Sequence, residues 1–447
     1  MSEPVLLQQG RVVDPSRDID GVFDVLLRDG VVARVDEHIP APRGAVVIEA
    51  NGLVVAPGFV DLHTHLREPG FEHKETIASG TRAAAAGGFT TICAMANTDP
   101  VIDDAPAVSY LIRRIRETAR VRVLPIGALS RKLKGEELAE IGSMKAEGIV
   151  AISDDGRPVT HGNLMRRALE YASMFDLPVV VHEEDPTLAP GGVMNEGWTA
   201  TRLGLAGWPN VAESSMVARD LELSALTDGR LHVAHISTRE SLEAIRRVRT
   251  LAKGRISCEV TPHHLTLIDE EVARSGYDTR FKMNPPLRSE ADRSMLVAAL
   301  VDGTIDCVAT DHAPHHADEK ALEFADAPFG VTGLETALSV LVDALVVPGI
   351  LTLSRLVEVL STAPARLFKL PSGTLAEGAA ADVVLFSTSR STTFTREGFA
   401  SKSHNSPWLG RTLRGRVERT FVAGREVYVR GASNPFPAVE PRAAGSQ

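Results

Sequence analysis

The sequence predicts an α/β protein, a (β/α)8 TIM-like barrel with a small β-rich domain formed by both chain ends. From Gly58 onward, eight short β-branched runs alternate with segments whose apolar residues recur at three and four positions, as in repeated βα units. Eight is the number of strands that closes such a barrel. Shorter alternating runs lie at both ends of the chain and favour a separate β-rich unit.

The two flanks of the chain share one pattern. The first fifty residues contain four short alternating segments separated by Gly and Pro, namely VLLQQGRVV, DVLLRDG, VVARVDE and AVVIEANG. After Ala363 we expect strands and turns again, in ARLFKL, TLAEGAAADVVLF, RGRVERTFVAG and REVYVRG. We therefore predict one β domain from residues 1–55 and 369–432, an inserted barrel over 56–368, and a loosely held tail over 433–447.

The barrel runs are each about seven to ten residues long, in the order FVDLHTHL, FTTICAM, VRVLPIGAL, GIVAISDD, PVVVHEED, LHVAHIS, RISCEVTPHH and IDCVATDHAP. Amphipathic stretches lie between several of them, and their spacing predicts helices. The clearest of these stretches are ETIASGTRAAAAG, NLMRRALEYASMF, SSMVARDLELSALT and RESLEAIRRVRTLAK.

Composition narrows the class of protein. A length of 447 residues suits one large barrel with an accessory domain, and 44% hydrophobic and 24% charged residues are typical of globular proteins. The net charge of -10, without a local basic stripe, argues against a nucleic-acid partner. Neither a signal peptide nor a run of about 18 apolar residues is apparent. We expect a cytoplasmic protein with no membrane partner, and buried free thiols at Cys93, Cys258 and Cys307.

Nearly every barrel run ends in His or Asp, and a packed barrel alone does not require this. His63 and His65 share one face of the first strand, because the side chains of a strand alternate. Strand tips converge at the carboxyl rim of a barrel, where its active sites lie. The other polar tips are Asp154 and Asp155, His182, His235 and Asp311. Four histidines and two carboxylates can hold two divalent ions about 3.5–4 Å apart and so activate water without a Ser or Cys nucleophile.

Eight motifs then resemble one family. They are HTHLREPG from His63, MANTDP from Met95, SDDG from Ser153, VHEE from Val181, AHIS from Ala234, MNPPLR from Met283, ATDHAPH from Ala309 and FGVTGLET from Phe329. Together they are similar to the class I dihydroorotases of the amidohydrolase superfamily. The H-x-H pair is common to the whole superfamily, whereas HLREPG with ANTDP and MNPPLR is specific to the dihydroorotase-like branch.

The resemblance implies two zinc ions. One would be held by His63, His65 and Asp311, the other by His182 and His235. Asp155 would bridge them, although spacing alone leaves Asp154 open as the alternative. Many members of the superfamily use a carbamylated lysine as the bridge, but Lys145 precedes the fourth strand instead of ending it.

The resemblance also implies the reaction, a reversible hydrolysis of the cyclic amide of (S)-dihydroorotate to N-carbamoyl-L-aspartate in de novo pyrimidine (UMP) biosynthesis. Asp311 would be the catalytic residue that moves the proton. Arg67 suits a substrate carboxylate because its guanidinium can bind one bidentately. The expected substrate contacts are His65, Arg67, Asn97, Asn284, His315, Phe329 and Gly330.

Two alternatives remain open at this stage. One is a hydantoinase or allantoinase, although these usually carry the lysine bridge and lack the carboxylate contacts. The other is a non-catalytic dihydroorotase-like subunit of aspartate transcarbamoylase. A subunit without catalytic activity would be free to lose its metal ligands, whereas this sequence keeps all of them. A homodimer and an association with aspartate transcarbamoylase also stay open. We expect His232, His263 and His264 either to have structural roles or to support the metal ligands from outside.

Overall fold

The computed structural model describes residues 3–250 and 255–432, so the predicted tail over 433–447 lies outside the described residues. The strands, in chain order, are β1 Val5–Asp14, β2 Ile19–Arg28, β3 Val31–Asp36, β4 Val46–Glu49, β5 Val54–Pro57, β6 Phe59–Thr64, β7 Phe89–Ala94, β8 Arg122–Gly127, β9 Ala151–Ser153, β10 Val179–Val181, β11 Met194–Asn195, β12 Gly207–Trp208, β13 Leu231–Val233, β14 Ile256–Val260, β15 Cys307–Val308, β16 Val383–Thr393, β17 Thr412–Val422 and β18 Arg425–Val429.

The helices mostly cover the barrel and connect its strands. They are α1 Ile77–Ala86, α2 Ala105–Thr118, α3 Ile141–Glu147, α4 Gly162–Ser173, α5 Trp198–Leu203, α6 Val211–Thr227, α7 Arg239–Arg249, α8 Pro262–Thr266, α9 Glu270–Arg274, α10 Glu290–Asp302, α11 Ala317–Lys320, α12 Ala337–Leu341, α13 Leu353–Val357 and α14 Ala363–Leu367. Each of the four predicted amphipathic stretches contains a helix, although the end of the last stretch, residues 251–253, lies outside the described residues. No helix in the described part of the chain is long and apolar enough to cross a membrane.

Helix α2 shows how the local sequence produces these elements. Asp104 caps its first turn by accepting a hydrogen bond from the backbone N–H of Ala107, which satisfies a donor that the helix itself leaves unpaired. Its buried side chains, Val108, Leu111 and Ile115, recur at three and four residues. They form one apolar stripe, which packs against the barrel.

The barrel is one parallel sheet of eight strands, in the order β15-β14-β13-β10-β9-β8-β7-β6. These are the eight runs that the sequence predicts. A parallel bridge between Thr64 and His312 brings the end of β6 to the chain that follows β15, so the sheet nearly closes. The carboxyl ends of the strands consequently meet at one rim.

A second sheet, in the order β18-β17-β16-β5-β1-β2-β3, combines both ends of the chain, with β4 paired to β1. The link is the antiparallel pair of β5 and β16, in which Ala56 lies opposite Val384. The predicted β-rich unit built from both termini is therefore confirmed. Its exact limits stay a proposal, and we place the N-terminal junction at Gly58, between β5 and β6.

The prediction of a strand or turn at ARLFKL is wrong in part, because Ala363–Leu367 forms the helix α14. The segment is too short to show helical periodicity. Its side chains instead complete the interior of the barrel, where Ala363, Ala365 and Phe368 pack in one buried cluster with Leu62 and Cys307. The three predicted free cysteines are buried and unpaired by disulfides.

Asp382, which directly precedes β16, contacts both the barrel and the second sheet. Its carboxylate accepts two hydrogen bonds from Arg122 on β8, at 3.0 and 3.2 Å, and a third from the backbone N–H of Ala423 at 2.8 Å. Its backbone carbonyl accepts a hydrogen bond from Gly58, at the domain junction. Asp382 is almost fully buried, so these contacts replace the water that its carboxylate loses on folding.

We expect Asp382→Ala to lower the free energy of unfolding by about 2–4 kcal/mol, because it leaves Arg122 and a buried N–H without their acceptor. Asp20→Ala is the matched control, since Asp20 pairs with Arg11 at the exposed surface and such pairs contribute about 0–1 kcal/mol. Urea denaturation of the three proteins measures both changes. Equal losses in the two variants would contradict a joining role for Asp382.

Candidate metal centre

Asp155, which follows β9, lies between the two histidines of the first strand and those of the fifth and sixth runs. Its Oδ1 is 3.2 Å from His63 Nε2, and its Oδ2 is 3.3 Å from His65 Nε2. The same Oδ1 is 3.5 Å from both His182 Nδ1 and His235 Nε2. One carboxylate therefore faces four imidazoles from three regions of the chain.

Asp311 completes the group on the side of the first strand. Its Oδ1 is 3.1 Å from His65 Nε2 and 3.6 Å from His63 Nε2. Asp311 and His235 both have positive φ, 45° and 32°, which is uncommon for residues with a side chain. Backbone strain of this kind tends to concentrate at functional sites, because the surrounding structure must hold it in place.

Each imidazole has an inner nitrogen, which faces the aspartates, and an outer nitrogen, which faces away from them. The hydrogen-bond partner of the outer nitrogen determines whether the inner nitrogen carries a proton or a lone pair. His63 Nδ1 lies 2.9 Å from Glu259 Oε1, His65 Nδ1 lies 2.9 Å from Asn97 Oδ1, and His182 Nε2 lies 3.3 Å from Glu184 Oε2. Each of these partners is an acceptor, so a neutral ring keeps its proton on the outer nitrogen. The inner nitrogen then presents a lone pair.

These lone pairs point at carboxylate oxygens, an arrangement that needs a cation between them. His63 Nε2 and Asp155 Oδ1 are both buried without a hydrogen-bond partner. His182 Nδ1 and His235 Nε2 lie only 3.0 Å apart. Imidazole nitrogens and carboxylate oxygens in this number suit two divalent ions such as zinc, so the residues present fit a binuclear centre.

The electrostatics of the cluster agree with this. Burial disfavours a charged His182, yet Asp155 and Glu184 raise its pKa to about 10. Burial likewise disfavours a charged Asp311, yet His65 and His63 hold its pKa well below the usual range. The buried carboxylates are therefore stabilised by positive charge beside them, and either protons or metal cations can supply it.

The neighbouring Asp154 has a different environment. Its Oδ1 accepts hydrogen bonds from the backbone N–H groups of Leu129 and Ser130, both at 2.9 Å, and its Oδ2 accepts one from the Ser130 hydroxyl. These bonds occupy both of its oxygens away from the histidines. Of the two aspartates that spacing left open, Asp155 is the one that contacts the imidazoles.

The cluster opens into a cavity of about 330 Å³. All of the predicted substrate contacts line it, together with Asp155, His182, His235 and Asp311, while His63 lies fully buried beneath them. The predicted contacts are His65, Arg67, Asn97, Asn284, His315, Phe329 and Gly330. The structure thus brings to one place residues that are separated by more than half of the chain.

Arg67 lies at one side of this cavity. Its Nε donates a hydrogen bond to the Pro314 carbonyl at 3.2 Å, and its Nη2 is 3.4 Å from His315 Nε2. Burial lowers the pKa of Arg67 to about 10, so its guanidinium is still charged at neutral pH. His315 is neutral, because burial and the nearby Arg67 lower its pKa to about 2. Arg67 therefore brings positive charge to the cavity and His315 does not.

Sequence reasoning missed Glu259. This carboxylate lies on β14 inside the barrel, between His63 and His232, and its Oε2 is 3.0 Å from His232 Nε2. Burial would raise the pKa of Glu259, but the two histidines lower it to about 2. An acidic residue within the apolar run ISCEV was the available signal. His232 has the structural role expected for it, with Ser257 Oγ on its other nitrogen at 2.8 Å.

Comparison with known proteins identifies the family. A Dihydro-orotase-like family model matches residues 52–241, and an Amidohydrolase family model, of a generally metal-dependent family, matches residues 217–427. A dihydroorotase from Anaeromyxobacter dehalogenans (strain 2CP-C) is 54% identical over 434 residues, which cover 97% of this chain and 100% of the relative. A dihydroorotase from Solibacter usitatus is 49% identical over 431 residues, which cover 96% and 99%.

Among solved structures, an L-hydantoinase (dihydropyrimidinase) from Arthrobacter aurescens superposes with a TM-score of 0.88 at 26% identity, covering 98% of each chain. A dihydropyrimidinase from Brevibacillus agri gives a TM-score of 0.83 at 25% identity, covering 95% of this chain and 94% of the other. The barrel is thus shared with cyclic amidases. The much higher sequence identity, over nearly the whole of both chains, is to dihydroorotases, and the chain belongs to the dihydroorotase family.

Proposed function

We propose that the protein is a zinc-dependent dihydroorotase, which interconverts (S)-dihydroorotate and N-carbamoyl-L-aspartate in de novo pyrimidine biosynthesis. The observation that carries this proposal is the meeting of Asp155, Asp311 and four imidazoles at the base of a cavity that also contains Arg67. Relatives named dihydroorotase, about half identical over the full chain, support the same reaction.

We assign one zinc ion to His63, His65 and Asp311, the second to His182 and His235, and the bridging position to Asp155. The contacts between Asp155 and all four imidazoles support this division. When bound, two such ions make a water acidic enough to attack at neutral pH and polarise the carbonyl group under attack.

Asp311 moves the proton in this scheme. Its low pKa makes it a carboxylate at neutral pH, and it lines the cavity, so it can accept a proton as water attacks the ring amide carbonyl. It then delivers that proton to the ring nitrogen as the C–N bond breaks and the ring opens to N-carbamoyl-aspartate. In the biosynthetic direction Asp311 accepts the proton from the carbamoyl nitrogen, and the same steps run backwards.

The remaining polar groups orient the substrate. Arg67 offers its guanidinium to the carboxylate. Asn97 uses its Oδ1 to hold His65, so its Nδ2 is the atom that can donate to the same carboxylate. Asn284 donates through Nδ2 to Glu184, while its buried Oδ1 has no partner and can accept a ring N–H. Phe329 and Gly330 line the cavity beside His315, where they can bound the other edge of the ring.

A hydantoinase-like activity is the second candidate, because an L-hydantoinase shares the fold with a TM-score of 0.88. The charged Arg67 in the cavity favours an anionic substrate instead. A non-catalytic role is disfavoured, since Asp155 contacts all four of the histidines assigned to the metals. A homodimer and an association with aspartate transcarbamoylase stay predictions.

Asp311→Asn should lower kcat for dihydroorotate hydrolysis by at least about 100-fold, because an amide cannot accept the proton, and general-base catalysis typically contributes 10²–10⁴-fold. The variant should keep part of its metal, since the amide oxygen can still coordinate. Asp318→Asn, a change at an exposed position in the nearby helix α11, is the matched control and should keep normal turnover. A rate above about a tenth of wild type in Asp311→Asn would disprove the assignment.

Arg67→Met should lower kcat/KM for dihydroorotate by about 10–100-fold, because a charge-assisted contact in a water-poor site contributes about 1.5–3 kcal/mol. An uncharged cyclic imide of similar ring has no carboxylate and should lose far less. Measuring kcat/KM for both substrates in both proteins separates substrate recognition from damage to the metal centre. Equal losses on the two substrates would mean that Arg67 supports the fold or the metals.

A further inference from the structure

One wall of the catalytic cavity separates it from a second cavity of about 520 Å³. The wall is the segment from Pro328 to Gly330, whose residues line the catalytic cavity. Lys320 and Asn405 line the second cavity, and His315 lines both. Two polar side chains therefore stand behind the wall, on the side away from the metal cluster.

These side chains bind the carbonyl groups of the wall. The Lys320 ammonium donates to the Pro328 carbonyl at 2.9 Å and to the Gly330 carbonyl at 3.1 Å. Asn405 Nδ2 donates to the Gly330 carbonyl at 3.0 Å. His315 Nε2 lies 2.8 Å from the Phe329 carbonyl. All three successive carbonyls of the wall are thus held by side chains, and the donors for the first and third lie behind it.

Lys320 and Asn405 are themselves held in place. Lys320 is 9% exposed and Asn405 is 4% exposed. The third hydrogen of the Lys320 ammonium is directed to the Lys282 carbonyl at 3.3 Å, so its three donors match three acceptors. Asn405 also donates to the Ala313 carbonyl at 3.0 Å and accepts from the His315 backbone N–H at 3.1 Å. These hydrogen bonds offset part of the cost of burying the Lys320 ammonium, whose pKa burial lowers to about 7.

The backbone of the wall is shaped to fit these donors. Gly330 has φ of +135°, a conformation that residues with a side chain rarely adopt. A Cβ at this position would lie 2.9 Å from the Ala313 carbonyl oxygen and 3.0 Å from His315 Nε2. The close approach of Gly330 to Ala313 and His315 is therefore part of the same arrangement.

The direction of these carbonyls matters because both substrates in the proposed reaction are anions. His315 contacts Arg67 at 3.4 Å and the Phe329 carbonyl at 2.8 Å. The wall therefore lies close to Arg67, the residue that we propose binds the substrate carboxylate. A carbonyl oxygen turned into the cavity would repel a carboxylate there, most strongly where water is excluded. Carbonyls directed behind the wall remove that repulsion.

We propose that Lys320 and Asn405 are positioning residues that make this wall accept an anionic substrate, by holding the Pro328 and Gly330 carbonyls away from the catalytic cavity. Neither residue needs to touch the substrate. Their effect falls on binding, since they lie behind the cavity wall and not among the groups that contact Asp311. The proposal rests on the proposed function, because that function supplies the charge of the substrate.

The test uses the zinc-loaded full chain with Lys320→Met and Asn405→Ala, each assayed with dihydroorotate and with an uncharged cyclic imide. Each variant should raise KM for dihydroorotate about ten-fold, leave kcat within about two-fold, and change KM for the imide much less. Lys402→Met is the matched control, because Lys402 lines the same second cavity but donates to the Glu72 carbonyl. It should leave both constants unchanged.

Thermal unfolding and zinc content of each variant show whether it is folded and loaded. A folded, loaded variant with unchanged KM for dihydroorotate would overturn the proposal, and so would an equal rise of KM for both substrates. If Lys320→Met fails to fold, Asn405→Ala decides the matter by the same criteria. Failure of the wild-type protein to hydrolyse dihydroorotate would instead reject the proposed function, which keeps the two outcomes distinct.

Discussion

The structure depends on one electrostatic constraint, the burial of the Asp155 carboxylate among four imidazoles. Three of these rings, His63, His65 and His182, have an acceptor at the outer nitrogen and so turn a lone pair toward the carboxylate. Carboxylate oxygens and nitrogen lone pairs repel each other, and a nearly dry barrel rim offers little water to separate them. The outer partners Glu259, Asn97 and Glu184 strengthen the constraint, because they hold protons on the far side of the rings. Divalent cations bound between these groups would turn this repulsion into coordination.

The barrel architecture makes it possible to bury these charged groups together. Strands β6, β9, β10, β13 and β15 each lead to one or two polar residues at the rim, while their apolar side chains pack in the core. Polar groups within the barrel are paired with one another, as in the contacts of Glu259 with His63 and His232. The β sheet formed by both chain ends is joined to the barrel through Asp382, and the segment between β16 and β17 brings Asn405 to the cavity wall.

Much of this could be predicted from the sequence, because strand-tip residues follow a simple rule. The eight runs mark the strands, and the His and Asp at their ends mark the rim, so even distant residues such as His63 and Asp311 could be placed together. The residues that hold the ligands and the cavity wall in place do not lie at strand tips, so this rule does not find them. Glu259 faces into the barrel from the middle of a strand, and Asn405 reaches His315 across 90 positions of the chain. Their contacts depend on tertiary packing, as does the helix at ARLFKL.

The most direct test of the account is zinc-edge anomalous diffraction from crystals of the gently purified protein, which locates each metal ion relative to its ligands. We expect two zinc peaks per chain, on either side of the Asp155 carboxylate, one beside His63, His65 and Asp311 and the other beside His182 and His235. Lys145 should be unmodified and remote from both. A single peak, or two peaks bridged by a carbamylated lysine with Asp155 elsewhere, would contradict it.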